Sequence, residues 1–123
     1  MPTREISRSD WKTYLDDFSR TRQGERVTVE LIFNPQADPD FAVRKQPLVG
    51  LTYEEKGGEP GTIEITVGGE QGHSQTHTIT SPVHLYHKNA PGLISDEVNE
   101  DEILEFTSTD EPRITFLRFE RPE

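Results

Sequence analysis

Four histidines, His73, His77, His84 and His87, fall within one short stretch of the chain. Neutral imidazoles with carboxylates nearby can hold zinc or a similar ion. The spacing works against a shared site. Side chains on a strand alternate between faces, so His84 and His87, an odd step apart, point to opposite sides. His73 and His77 share a face, but four strand residues span about 13 Å, too far for one ion. A metal site would need pairing across strands, His77 with His84 or His87 over the Ser81-Pro82 bend. All four are therefore read as surface or rim histidines, with no metal and no cofactor assigned.

Other constellations are weaker. Gly72-His73-Ser74-Gln75-Thr76 half-matches the Gly-x-Ser-x-Gly nucleophile elbow, but lacks the closing glycine and leads into a strand where the elbow needs a helix. Asp96, Glu97, Asn99, Glu100, Asp101 and Glu102 form an oxygen-rich run without the glycine turn of a calcium loop, and read as a solvated acidic loop. No phosphate-binding glycine loop or dinucleotide fingerprint is present. Gly57-Gly58 and Gly68-Gly69 lie between strands, where hairpin turns account for them. No set of acid, base and nucleophile assembles, so no catalytic residue is assigned and an enzyme ranks last.

One helix is expected, over about residues 7–22. Trp11, Tyr14, Leu15 and Phe18 form a single apolar stripe at i, i+3, i+4 and i+7, which marks Trp11 as core rather than a ligand-stacking aromatic. Ser7 or Ser9 is the cap, Ile6 a staple onto Trp11, and Gly24 the left-handed residue past the end. The remainder, about 26–120, reads as strands. Three alanines against 13 threonines, eight isoleucines and seven valines favour sheet. Strands are expected near Val27–Phe33, Phe41–Arg44, Leu48–Tyr53, Thr62–Val67, Ser74–Thr80, Val83–His87, Asp101–Thr107 and Arg113–Glu120. Pro47 marks a bulge or an edge. The last strand is apolar on both faces, Ile114 and Phe116 against Leu117 and Phe119, and so wants cover on both sides, from the helix and from curled sheet.

Charge narrows the partners. The 123 residues carry 13 basic and 23 acidic groups, a net charge of −10. Nucleic-acid binding needs clustered Lys and Arg, and the longest basic run is Arg44-Lys45, so neither a nucleic acid nor an anionic membrane surface is expected as partner. The absence of cysteine removes disulfides and thiolate chemistry. Apolar runs such as Leu31-Ile32-Phe33 are far below the ~18 residues of a membrane helix. The first residues carry no secretory pattern, which makes the cytoplasm the expected location.

Thr3-Arg4-Glu5-Ile6-Ser7-Arg8, Trp11, Phe18-Ser19-Arg20, Pro47-Leu48-Val49-Gly50-Leu51, His77-Thr78-Ile79-Thr80-Ser81-Pro82 and Leu117-Arg118-Phe119 together resemble a family of small prokaryotic proteins, domain of unknown function fifty-three thirty-five. The likeness spans essentially the whole chain, with Ser7 standing where the family has proline. It implies a stand-alone domain of this size and no activity. A looser likeness to Sm-like barrels, in which a short helix precedes bent strands, is fold analogy only.

The expected fold is α+β, a single domain over 1–123. One N-terminal helix packs on a bent, mainly antiparallel sheet of about seven strands, a partly open barrel being one form such a sheet takes. The expected function is that of a small, soluble, non-enzymatic domain acting by protein binding or self-association through exposed sheet edges. The alternative is a small-ligand or metal-binding protein using the histidine-rich region 73–87.

Overall fold

The computed structural model describes residues 3–34, 36, 38–56, 59–68, 73–91 and 100–119. The chain runs β1 (Arg4–Ile6), a 3-10 turn (Arg8–Asp10), α1 (Trp11–Arg22), β2 (Arg26–Ile32), β3 (Asp40–Lys56), β4 (Glu59–Gly68), β5 (Ser74–Thr80), β6 (Pro82–Pro91), β7 (Glu100–Ser108) and β8 (Ile114–Phe119). The strands form one 8-stranded sheet in the order β1-β6-β7-β8-β2-β3-β4-β5, antiparallel at every pairing. It bends around the helix without closing into a barrel. Among the described residues no helix is long and apolar enough to cross a membrane.

The helical segment begins more tightly than its periodicity suggests. Neither Ser7 nor Asp10 caps through its side chain; instead the Asp10 N–H donates to the Ser7 carbonyl, and a 3-10 turn precedes α1. Trp11 is the reason for the tight entry. Its indole Nε1 donates to the Ile6 carbonyl at 2.9 Å, and the Arg8 guanidinium lies over its ring at 4.5 Å. Ile6 and Trp11 are both buried, as the staple requires. At the other end Gln23 (φ −58°, ψ 132°) and Gly24 (φ +90°) form a type II turn closed by Glu25 N–H to the Arg22 carbonyl, and that turn needs glycine at its third position.

Trp11, Leu15 and Phe18 are buried and Tyr14 packs against the same core. Trp11 meets Tyr53 edge-on and Phe18 meets Phe119. The helix also covers backbone. β2 leaves β3 after Pro47, so the later residues of β3 have β4 on one side only. On the vacated side the Leu51 N–H donates to Ser19 Oγ (3.0 Å), and Leu48 exchanges bonds with Gly24 and Glu25 (2.8 Å each). Buried amide groups must be paired, so the helix completes the sheet there.

Two sequence expectations change. The segments 41–44 and 48–53 are one strand, because the bend at Lys45 (φ 54°) and Pro47 is a bulge and the chain stays extended through it. Residues Arg4–Ile6 add a strand, which brings the sheet to eight.

The second face of β8 also has a different cover. Thr115, Leu117 and Phe119 point to the core. Ile114 and Phe116, on the other face, are half-buried beneath side chains of the sheet itself. Lys88 lies over the Phe116 ring (5.0 Å) and pairs with Glu105 (2.7 Å), while Arg118 pairs with Glu30 (2.8 Å). Ile103, opposite Lys88 and Arg118, is 2% exposed for the same reason. Long charged side chains cover apolar surface with their stems, and the Arg118 and Glu30 heads, themselves nearly buried, are neutralised by each other.

Candidate functional site

The alternation along β7 turns Glu102, Leu104 and Phe106 to one face, with Phe119 and Leu117 of β8 beside them. Glu102 thus sits at the rim of the core, where a bare carboxylate would be costly. Arg22 and His87 meet it. Arg22, in the last turn of α1, donates from Nε and a terminal nitrogen to the two carboxylate oxygens, both at 3.0 Å. His87 Nε2 lies 2.7 Å from Oε2. Phe18 stacks below, with the guanidinium 4.7 Å from its ring and the His87 imidazole edge-on at 6.2 Å.

Burial alone pushes the Glu102 carboxyl up, but the Arg22 and His87 hydrogen bonds outweigh it and hold the group below its usual range. Arg22 is raised in turn, chiefly by its bond to Glu102. Tyr14, nearby, is raised by burial against the opposing pull of Arg4. The cluster fastens helix to sheet and is internally neutralised.

The four histidines are dispersed by the fold. His73 is exposed ahead of β5. His77 faces inward beside Ile65 and Ile79; burial lowers its pKa, and its Nε2 has no hydrogen-bond partner among the described residues. His84 is on the outer face of β6, 2.7 Å from Glu5 and stacked on Tyr86. His87 is on the inner face, with Glu102. Neither cross-strand pairing that a metal site would need, His77 with His84 or with His87, is made. No group of three or more potential metal ligands occurs among the described residues. Ser74 opens a strand, without the turn into a helix that a nucleophile elbow needs. Of the acidic run, residues 96–99 lie outside the described residues, and Glu102 is a paired strand residue rather than part of a loop.

A polar cleft of about 390 Å³ lies between β1 and α1, lined by Arg4, Glu5, Asp10, Thr13, Tyr14 and Asp17 among others. Within it Glu5 is engaged by His84 (2.7 Å) and Asp17 by Arg20 (2.9 Å).

The sheet's two outer strands differ. β1 is short and charged, with Arg4 and Glu5 in three residues. β5 has seven residues, Ser-Gln-Thr-His-Thr-Ile-Thr, with no Lys, Arg, Asp, Glu or Pro, and its register with β4 is unbroken from Thr62↔Thr80 to Gly68↔Ser74. Its outer face is hydroxylic, Thr76 bonding Thr66 at 3.1 Å. Among the described residues only its end is held from the open side: Ser108 Oγ donates to the Thr80 carbonyl, and Thr109 N–H to that of Ser81 (3.3 Å). Natural sheets guard their edges with charge, proline, bulges or brevity. β1 has two of these guards and β5 has none.

No curated protein and no solved structure matches this chain. A family model does match, over residues 2–123, and the chain belongs to that family, the family of unknown function DUF5335.

Proposed function

We propose that the protein is a binding domain that takes an extended strand of another polypeptide along β5. The observation that carries this reading is the unguarded edge: seven residues, free of charge and proline, in unbroken register. Backbone groups of such a strand supply affinity, and alternate side chains supply selectivity. Thr80 gives its carbonyl to Ser108 on the side away from β4. By the alternation of an antiparallel ladder, Thr78, Thr76 and Ser74 then turn their N–H and C=O groups to the same open side. Catalysis has less support, since the inner-face cluster of Arg22, Glu102 and His87 is already mutually satisfied.

A photoreactive phenylalanine analogue at Thr78 tests the reading. It should cross-link to a second polypeptide in native extract, and the cross-link should disappear when Thr76→Pro removes an outward N–H. Equal labelling from Thr13, on the exposed face of α1, would contradict the reading.

A further inference from the structure

We infer that the strand received by β5 is the β5 of a second copy, the two running antiparallel about a twofold axis at Thr76. This rests on the strand-addition reading and names the partner. The open groups belong to Ser74, Thr76 and Thr78, a set symmetric about Thr76, and a twofold there pairs Ser74 with Thr78, Thr76 with itself and Thr78 with Ser74. The Thr80 end, occupied by Ser108, is not needed. Isologous contacts demand such self-complementarity.

Charge selects the same place. Two copies of a chain with net charge −10 repel each other over most of their surfaces. β5 is a stretch where they can meet without opposing like charges. Its single titratable residue, His77, is kept neutral by burial. On the inner face the pairing sets the partner's Gln75 across from His77, whose Nε2 otherwise lacks a hydrogen-bond partner among the described residues. On the outer face it extends the row Thr66–Thr76 into the second molecule, with Thr76 beside Thr76.

Sedimentation equilibrium of the purified full chain tests this, over concentrations from about 10 μM to about 1 mM, the range suited to a small edge-to-edge contact. The mass should rise from 14.0 kDa toward twice that value. Added salt should strengthen association by screening the net charge. Thr76→Pro removes an N–H that the β4 ladder does not use. Thr76→Lys sets two like charges opposite each other and leaves the backbone intact. Each should weaken association at least tenfold while circular dichroism stays that of the parent, and high salt should partly restore the lysine variant. Dimerisation unaffected by both variants would place the contact elsewhere and overturn the inference. A monomer whose Thr76 and Thr78 amides exchange rapidly would also overturn it, leaving the edge open to a different polypeptide. A monomer with both amides protected would mean that the chain closes its own edge, and strand addition itself would fall.

Discussion

Replacing Glu102 with glutamine removes one negative charge while keeping the side chain's size and one acceptor oxygen. In the parent, that carboxylate accepts two bonds from Arg22 at 3.0 Å and lies 2.7 Å from His87. The side chains of Glu102, His87 and Arg22 are 19%, 23% and 30% exposed, so the cluster lies between two familiar limits. Exposed ion pairs contribute about 0–1 kcal/mol. Breaking a fully buried pair costs about 3–5 kcal/mol. A loss of about 2–3 kcal/mol is expected for Glu102→Gln, because the new amide N–H₂ also points donors at donors. At roughly 4 °C per kcal/mol for a chain of this size, the melting temperature should fall by about 8–12 °C near pH 7. The pH dependence gives the sign. The folded-state pKa of Glu102 lies below its unfolded value, so its contribution is present above the unfolded value near 4.3 and is lost as pH falls through the folded one. Parent and variant melting curves, recorded by circular dichroism down to about pH 2, should therefore converge. Equal melting temperatures at neutral pH, or a gap that persists in acid, would refute the assignment of Glu102 as the charged centre of this cluster.

Three further outcomes are expected. Trp11→Ala should cost about 3–5 kcal/mol in chemical denaturation, because the ring is 1% exposed and fills the junction of α1 with Tyr53; an unchanged midpoint and slope would detach the helix from the core. Gly61→Ala should cost about 1–3 kcal/mol, since the added methyl would strike the Glu54 carbonyl and come within 2.7 Å of the Tyr53 ring; a neutral result would show that the β3 backbone at Glu54 and the Tyr53 ring both give way freely. Sodium chloride, raised from about 0.01 M to about 1 M, should raise the melting temperature, most steeply at first, as the Debye length falls from about 30 Å to about 3 Å; a decrease would mean that pairs such as Arg118–Glu30 outweigh the net charge of −10.

The helix was legible because its four apolar residues, spaced i, i+3, i+4 and i+7, share one face only when the chain is helical. The β4 strand was legible through Ile63, Ile65 and Val67, all buried, and so was the helix stop at Gly24. β1 was not: three residues, two of them charged, carry no periodic signal, and only pairing with β6 makes them a strand. The ionic cluster was hidden by distance, Arg22 and Glu102 being 80 residues apart. Glu102 read as one more acid in an acidic run. A signal was nonetheless present, because it shares the parity of Leu104 and Phe106, and a carboxylate on an apolar face calls for a partner. The contrast between the two outer strands could not be read at all, because composition shows which strand lacks charge but not which one lies at an edge.

Residue-resolved amide exchange along β5 tests the central claim most directly. In dilute solution Thr76 and Thr78 should exchange almost as fast as unstructured amides, while Gln75, His77 and Ile79, turned toward β4, should be protected. Protection that does not alternate and extends through Thr76 and Thr78 at the lowest concentration would mean that the edge is already closed within one chain, and that β5 is not where this protein meets another.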